Sequence, residues 1–289
     1  MDIVLIQAPV ATGTTQKGMA LAPPRYLAAG LGEVLKGQGH TVRTVDTAES
    51  VSSTGDLESV VSVNSSIARH VREAVGSEAV PLILGGACNV CLGAISGLEP
   101  PKVGVVWLDA HGDFNTPETS LSGYFDGMPL AIATGRAYQD LYARVGQSGS
   151  VRDMHTLLVG VRDLDPEEEA ALSASEIQVV TGTDLQERGI QEVLTPALER
   201  LSARVSQIYL HLDIDVLDSS VAPGVNFPTS AGLSLAQLDQ ILDLIGSRIP
   251  VAAASLTALD PTKDPKDETL RVAMHCVEKL AASIGRQRA

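Results

Sequence analysis

The stretch Val103-Gly-Val-Val-Trp-Leu-Asp-Ala-His-Gly-Asp113 is the part of this sequence that decides its fold. Its first six residues form an apolar run of the kind found in buried strands. Asp109, His111 and Asp113 follow at alternate positions, and residues two apart in an extended chain point the same way. Carboxylates held in one small volume resist joint ionisation unless a cation neutralises them. The stretch therefore predicts a buried strand that ends at a site for one or two divalent metal ions.

Two further apolar runs end in residues that can bind a metal. Residues 80–84 are followed by Gly-Gly-Ala-Cys88-Asn, and residues 207–212 lead into Asp213-Ile-Asp215. Because the carboxyl ends of parallel strands meet at one edge of a sheet, we expect these side chains to lie together. The expected site holds Asp109, His111, Asp113, Asp213 and Asp215, with Cys88 as a further candidate ligand.

The chemistry of this set favours two metal ions over one. Carboxylate ligands favour Mg²⁺ or Mn²⁺, and an imidazole shifts the preference towards Mn²⁺ or Zn²⁺. Either motif alone is often only a solvated loop or a helix cap. Their occurrence together, each directly after a buried strand, favours a two-metal centre that activates water and holds a substrate.

The rest of the chain predicts an α/β fold with a parallel sheet. Apolar runs alternate with segments of helical character, such as residues 24–35 and 234–245, and this alternation is typical of βαβ units. The predicted strands cover residues 3–6, 41–45, 80–84, 103–108, 156–161, 178–180, 207–212 and 251–256. About eight strands with helices on both faces fit an open three-layer sheet and a closed barrel equally well. Residues 1–289 are expected to form a single domain.

Composition limits the partners of the protein. The formal net charge is −14, from 21 basic and 35 acidic residues, which argues against a nucleic-acid ligand. No basic leader and no apolar run of membrane-spanning length is recognisable, so no membrane partner is expected. Three cysteines, Cys88, Cys91 and Cys276, suggest reduced thiols. We therefore expect a cytoplasmic enzyme that acts on a small molecule.

These motifs, in this order, resemble those of the arginase (ureohydrolase) family over nearly the whole chain. The matching segments begin at Gly85, Asp109, Asp126, Gly160, Asp213, Ala222, Gly232 and Asp260. The resemblance implies a three-layer arginase-like fold and a cofactor of two Mn²⁺ ions whose bridging hydroxide attacks a guanidino carbon. It also implies that Asp109 and Asp213 bridge both ions, that Asp113 binds the first, and that His111 and Asp215 bind the second.

Three departures from the family pattern lie in the predicted site. Cys88 stands where the family has a histidine ligand of the first metal, and a thiolate is a competent ligand. Asp126 replaces a histidine thought to pass a proton to the leaving amine, so Asp113 and Asp126 are the candidate catalytic residues. Ala258 replaces the glutamate that pairs with the substrate guanidinium. The segment 224–228 also differs and reshapes the wall of the pocket.

The residues expected at the amino-acid end of the substrate match those of arginases. Asn115 and Ser122 correspond to residues that hold the substrate carboxylate, and Asp165 to one that reaches the α-amino group. Glu168 is assigned to the same substrate-binding set. These matches indicate an arginine-like amino acid as the substrate.

The changes at the end of the site that would bind the guanidinium favour a substrate with a modified guanidino group. Arginine is always protonated and loses its counter-charge when residue 258 is alanine. An Nω-hydroxylated guanidine is less basic and needs that charge less. The combination of Cys88, Asp126 and Ala258 is similar to that of Nω-hydroxy-L-arginine hydrolases of D-cycloserine biosynthesis, a branch of the family. We predict hydrolysis of Nω-hydroxy-L-arginine to hydroxyurea and L-ornithine.

Two other functions remain open at this stage. One is an arginase or another guanidino-compound hydrolase of the family. The other is a catalytically weak metal-binding sensor of an arginine-like molecule, although the retained metal ligands argue against it. The chain ends almost at its last predicted helix, residues 268–284, and this favours a monomer over the trimers common among arginases.

Overall fold

The computed structural model describes residues 1–13, 17–51, 56–98, 103–146 and 149–288, with side chains as far as residue 285. An eight-stranded sheet organises them, and all of its strand pairs are parallel. The strands are β1 (Asp2–Ala8), β2 (Thr41–Asp46), β3 (Val80–Gly85), β4 (Val103–Leu108), β5 (Thr156–Val161), β6 (Gln178–Thr181), β7 (Gln207–Asp213) and β8 (Val251–Thr257). The predicted parallel sheet of eight strands is confirmed.

Helices cover both faces of this sheet. They are α1 (Ala22–Ala28), α2 (Leu31–Gly37), α3 (Asp56–Gly76), α4 (Cys91–Leu98), α5 (Pro129–Ala133), α6 (Gln139–Arg144), α7 (Pro166–Ser173), α8 (Gly182–Glu187), α9 (Ile190–Ser202), α10 (Leu235–Arg248) and α11 (Glu268–Arg288). In β4, Val106 and Leu108 join an apolar core shared with α1, α2, α9, α10 and α11. The alternate residues Val105 and Trp107 join a second core shared with α3, α4 and α5. Two cores on opposite faces of one sheet make the three predicted layers.

The structure decides between the two architectures and corrects one helix. The strand order is β2-β1-β3-β8-β7-β4-β5-β6, an open sheet, so the barrel alternative was wrong. The single helix predicted over residues 24–35 is two helices, α1 and α2. Gly30 separates them because its φ of 89° lies in the left-handed region, which glycine adopts without steric cost.

The strand order also explains where a ligand can bind. β3 and β4 are consecutive in the sequence, but β8 and β7 lie between them in the sheet. A crevice forms at the carboxyl ends of strands where the chain changes direction in this way. At least one residue after each of β3, β4, β7 and β8 lines a common cavity at this end of the sheet, among them Cys88, His111, Asp215 and Ala258.

None of the helices in the described part of the chain combines the length and apolar character needed to cross a membrane.

Candidate functional site

Two groups of potential metal ligands lie at the carboxyl ends of these strands. Each residue of a group offers one ligand atom, and within a group these atoms all lie within 4.8 Å of one another. The groups are Cys88, Asp109, His211 and Asp213, and Asp109, His111 and Asp215. Because Asp109 belongs to both groups, they form two adjacent candidate cation sites.

The backbone at the end of β4 holds the second group in place. The amide of His111 donates to Oδ1 of Asp109 over 2.7 Å, and the indole Nε1 of Trp107 donates to Oδ2 over 3.0 Å. Nδ1 of His111 lies 3.3 Å from Oδ1 of Asp109 and 3.2 Å from Oδ2 of Asp215. The amide of Ala110 donates to the other oxygen of Asp215. The carboxylates and the imidazole therefore face a common point.

The first group is built from the ends of β3 and β7. Asp213 ends β7, and its Oδ1 accepts the backbone amide of Asp215 over 2.8 Å, which caps the turn Ile214–Val216. Cys88 begins a short turn after β3, and its thiol donates to Oδ2 of Asp213 over 3.0 Å. A side chain from a distant part of the sequence thus reaches the carboxylates at the predicted position.

Burial makes these acidic groups hard to ionise together. Burial and the neighbouring Asp215 raise the pKa of Asp109 to about 6. Burial and nearby carboxylates also raise the pKa of Asp113 and that of Asp213 well above the ordinary value. Burial alone would lower the pKa of His111, but Asp215 and Asp109 outweigh it and raise that pKa to about 12. Protons and one imidazolium therefore supply the positive charge that a divalent cation would supply.

The donor set fits a pair of divalent metal ions. Carboxylates, an imidazole and a thiol converge in a buried volume, and buried carboxylates of this density need cationic partners. One further observation supports the fit: Oδ2 of Asp113 is buried and has no hydrogen-bond partner among the described residues. The candidate ligands predicted from the sequence all lie at this site: Cys88, Asp109, His111, Asp113, Asp213 and Asp215. That they bind metal ions stays a prediction.

The position of Asp113 differs from the expectation of an extended chain. β4 ends at Leu108, and Asp113 has a φ of 47° in the left-handed region. Alternation along a strand therefore does not extend to this residue. In the described part of the chain, Asp113 belongs to neither close group of ligand atoms, although its carboxylate is buried and faces the same cavity.

Sequence reasoning missed one residue of the first group, His211. It lies in the middle of β7 and is fully buried, and its ring stacks on Trp107 with centroids 3.7 Å apart and an interplanar angle of 16°. Burial lowers the pKa of His211 to about 3. A signal was present, because His211 lies two residues before Asp213 and therefore faces the same side of the strand.

A cavity of about 460 Å³ opens above the two ligand groups. Most of the predicted site residues line it: Cys88, His111, Asp113, Asn115, Ser122, Asp126, Asp165, Glu168, Asp213 and Asp215. The remaining one, Asp109, is buried and belongs to both ligand groups. Residues predicted from distant parts of the sequence thus meet around one cavity.

The predicted substrate-binding residues line the same cavity, but some of their polar groups already form hydrogen bonds within the protein. Nδ2 of Asn115 donates to Oδ2 of Asp165 over 3.1 Å. Ser122 is exposed at the cavity. The carboxylate of Glu168 accepts the amide of Phe114 over 2.8 Å at one oxygen and that of Asp165 over 3.3 Å at the other. Glu168 therefore holds the loop after β4 against α7, and its contact with a substrate stays a prediction.

The carboxylate of Asp126 connects its own loop to the segments that carry Thr12 and Asn89. Its Oδ1 accepts the backbone amide of Asn89 over 3.1 Å and the side-chain Nδ2 of Asn89 over 2.6 Å. Its Oδ2 accepts the hydroxyl of Thr12 over 2.5 Å. Burial raises the pKa of the Asp126 carboxyl, while these hydrogen bonds act in the opposite direction. Its role as a proton donor stays a prediction.

Ala258 and two aromatic rings complete the wall of the cavity. Ala258 follows β8 with a φ of 72°, and its amide donates to the carbonyl of Gly86 over 3.1 Å. Phe227 faces Tyr124, with centroids 5.5 Å apart, and meets His111 edge-on at 6.1 Å. Ala258 therefore adds no charge to the wall of the cavity.

Known proteins resemble this chain over nearly its whole length. The profile described as "Arginase family" matches residues 1–282. The arginase of Bacillus caldovelox is 30% identical, over 96% of this chain and 97% of its own. The crystal structure of Bacillus subtilis arginase is also 30% identical and superposes with a TM-score of 0.89, over 96% of this chain and 97% of that one. Entamoeba histolytica arginase, solved in complex with L-ornithine, is 25% identical with a TM-score of 0.87, over 96% and 98% of the two chains.

These matches confirm the predicted enzyme class, a C–N hydrolase of the ureohydrolase type, and they agree with the three-layer fold described above. The chain belongs to the arginase family.

Proposed function

We propose that the protein hydrolyses Nω-hydroxy-L-arginine to hydroxyurea and L-ornithine. The observation that carries this proposal is Ala258, which is 8% exposed and lines the same cavity as the ligand groups. Its methyl group offers no charge to a substrate. A guanidinium ion bound there would have no carboxylate partner at residue 258.

The chemistry of the substrate explains why this matters. Arginine carries its positive charge at any accessible pH. An oxygen on the terminal nitrogen withdraws electrons and lowers the basicity of the guanidine, so the molecule can enter the site uncharged. Water then adds to the guanidino carbon, and the bond from that carbon to the side-chain nitrogen breaks. The leaving amine gains a proton and becomes that of ornithine, while the carbon leaves as hydroxyurea.

The residues of the cavity take distinct parts in this reaction. Cys88, Asp109, His111, Asp113, Asp213 and Asp215 would hold two Mn²⁺ ions, which when bound lower the pKa of water and supply a nucleophile at neutral pH. Asn115, Ser122 and Asp165 would bind the α-carboxylate and α-amino groups. Asp126 or solvent would protonate the leaving amine. A relative solved with L-ornithine supports an amino-acid product of this shape.

The test is a substrate panel on manganese-loaded protein. Nω-hydroxy-L-arginine, L-arginine and agmatine are supplied separately, and ornithine, urea and hydroxyurea are measured as products. We expect hydroxyurea and ornithine from the hydroxylated substrate at a kcat/KM at least tenfold above that for arginine. Efficient release of urea from arginine, with no turnover of the hydroxylated compound, would contradict the proposal and favour an arginase.

A sensor is the second candidate, and Asp126 and Ala258 favour it because both depart from the catalytic pattern of the family. A sensor would bind two metal ions and an arginine-like amino acid without turning it over. Metal analysis together with the ornithine assay separates it from an enzyme. An Asp109→Asn variant, which removes the carboxylate shared by the two ligand groups, provides the inactive control for the assay.

We also propose that residues 1–289 act as one catalytic domain, as a monomer in the cytoplasm, in the biosynthesis of an antibiotic. The single sheet supports one domain, because it joins strands from residue 2 to residue 257. Light scattering on the purified protein tests the monomer. A mass of twice or three times 30.2 kDa would contradict it.

A further inference from the structure

His211 lies within β7, close to the group of potential ligands formed by Cys88, Asp109 and Asp213. It precedes Asp213 by two residues on β7, so both side chains leave the strand on the same face. In the sheet it pairs with Trp107 of β4 and with Ser255 of β8. One of its ring nitrogens lies within 4.8 Å of ligand atoms of Cys88, Asp109 and Asp213.

The two ring nitrogens of His211 have different surroundings. Nδ1 lies 3.0 Å from the hydroxyl of Ser255 and 3.1 Å from that of Tyr209, and these two hydroxyls are 2.6 Å apart. Nε2 lies 3.4 Å from Oγ1 of Thr257, which in turn is 3.5 Å from the sulfur of Cys88. The Nδ1 edge therefore faces hydroxyl groups, and the Nε2 edge faces the thiol.

This arrangement is the usual one for a histidine that binds a metal. Such a histidine donates its second ring N–H to an oxygen acceptor, which fixes the tautomer and the orientation of the ring. The hydroxyls of Ser255 and Tyr209 provide that acceptor here, and stacking on Trp107 prevents rotation of the ring.

We propose that Nε2 of His211 is a ligand of the metal ion held by Cys88, Asp109 and Asp213. The inference rests on the proposed two-metal site and adds a residue to it. The first position would then have a thiolate and an imidazole besides its carboxylates, whereas the second would have an imidazole and carboxylates only. Sulfur and nitrogen donors favour Zn²⁺, Co²⁺ or Fe²⁺ over Mn²⁺, so the two positions differ in metal preference.

The alternative is that His211 only fills the core between Trp107 and β8. Wild-type protein separates the two without any substitution. Protein labelled with ¹⁵N-histidine is loaded with ¹¹³Cd²⁺, and scalar coupling between cadmium and ring nitrogens is recorded by NMR. We expect coupling at two histidines, His111 and His211, with the coupled nitrogen of His211 being Nε2. Two bound cadmium ions with coupling at His111 alone would overturn the proposal.

A His211→Phe variant gives an independent measurement, since phenylalanine keeps a ring on Trp107 but has no nitrogen. We expect the bound metal, measured by mass spectrometry after gel filtration, to fall from two ions per chain towards one. Thermal unfolding of the metal-free variant reports on packing alone. Two retained ions, bound with wild-type affinity, would overturn the proposal.

These readouts do not depend on catalysis, so they separate this inference from the proposed function. Coupling at His211 without turnover of any guanidino compound would contradict only the proposed function. Turnover of Nω-hydroxy-L-arginine without coupling at His211 would overturn only the ligand assignment. Wild-type protein that binds no divalent ion would overturn both.

Discussion

The thiol of Cys88 donates a hydrogen bond to Oδ2 of Asp213 over 3.0 Å inside the protein. Burial and the carboxylates of Asp213, Asp113 and Asp109 raise the pKa of this thiol well above its ordinary value. A metal ion binds the thiolate and not the thiol. The proton between Cys88 and Asp213 must therefore leave before a cation can take its place.

Metal binding is accordingly predicted to release protons and to strengthen as pH rises. Calorimetric titration with Mn²⁺ at pH 7, in buffers of different ionisation enthalpy, measures the number of protons released. We expect at least one proton per chain for the wild type, because Cys88 and the buried carboxylates retain protons in the metal-free state. Heat that does not depend on the buffer would contradict this prediction.

The matched control is Cys88→Ser, in which a hydroxyl replaces the thiol at nearly the same size. A serine hydroxyl is a weak ligand and does not ionise near neutral pH, so this variant should release about one proton fewer. Its affinity for the first metal ion should fall by roughly ten- to a hundredfold or more, on the order of 2 kcal/mol.

A second prediction concerns the stability of the metal-free protein. Burial and Asp215 raise the pKa of Asp109 from 3.8 to about 6. A carboxyl whose pKa is raised by folding stabilises the folded state at low pH, and this contribution is lost as pH rises through about 6. The shift of roughly two units corresponds to about 3 kcal/mol at most, at about 1.4 kcal/mol per unit.

Metal-free protein should therefore lose stability between about pH 4 and pH 7, as measured by urea unfolding. Asp109→Asn, which cannot ionise, should show a smaller loss over the same range. With saturating Mn²⁺ the dependence should reverse, because the ions bind the ionised ligands and stabilise the fold more strongly at higher pH. Equal slopes for the wild type and the variant would exclude Asp109 as the cause.

The sequence predicted the strands better than the contacts between them. Apolar runs identified all eight strands. Six of them, β1, β3, β4, β5, β7 and β8, are buried along nearly their whole length, and this makes their runs continuous, whereas the edge strands β2 and β6 are more exposed. His211 was missed because a lone histidine in an apolar strand is usually a core residue. Only the register of β7 against β4 and β8 places it beside Trp107 and Ser255.

Local backbone geometry explains the other differences. The positive φ of Asp113 moves this residue away from the extended alternation that was assumed for residues 109–113. The engagement of Asp126 by Thr12 and Asn89 involves residues far apart in the sequence, so no motif spacing reveals it. The order of the motifs predicts which side chains lie at the same edge of the sheet. It does not predict which of their oxygen atoms already accept hydrogen bonds from the protein.

A third prediction tests the uncharged wall at residue 258. Ala258→Glu places a carboxylate where a guanidinium would bind, and the positive φ adds no new cost because alanine already adopts it. The ratio of kcat/KM for L-arginine to that for Nω-hydroxy-L-arginine should rise at least tenfold, on the order of 1.4 kcal/mol. Ala258→Gln has the same shape without the charge and should leave the ratio near the wild-type value. An equal effect of both variants would assign the change to size and not to charge.

A fourth prediction separates two roles of Asp126. Asp126→Asn keeps an oxygen for the donors of Asn89, and its amide can donate to Thr12, but it cannot supply an acidic proton. Because three donors already occupy its oxygens, we expect this variant to keep kcat within about tenfold of wild type. Asp126→Ala should lose on the order of 3 kcal/mol of stability, since buried donors lose their acceptor. A fall in kcat of about a hundredfold or more in the asparagine variant, at unchanged Tm, would identify a proton donor.

Arg162 is predicted to fix the backbone of Asp215, a candidate metal ligand. It is half-buried, and its guanidinium donates hydrogen bonds to a set of backbone carbonyls between β5 and the loop after β7. The acceptors are the carbonyls of Gly160, Asp215, Val216, Leu217, Thr229 and Ser230. A planar group with five donors can satisfy such a set, and lysine cannot. Arg162 therefore joins the turn that carries Asp215 to the segment that carries Phe227.

Arg162→Met keeps the apolar part of this side chain and removes every donor. We expect a loss on the order of 3 kcal/mol in the free energy of unfolding, because several carbonyls are left with water or no partner. The second metal ion should bind about tenfold more weakly, since the turn at Asp215 is no longer fixed. Arg162→Lys keeps the positive charge but lacks the planar arrangement of five donors. It should therefore recover only part of the lost stability and of the lost metal affinity. Urea unfolding and metal titration of both variants test this, and a methionine variant with wild-type stability and metal affinity would show that the carbonyls are held without Arg162.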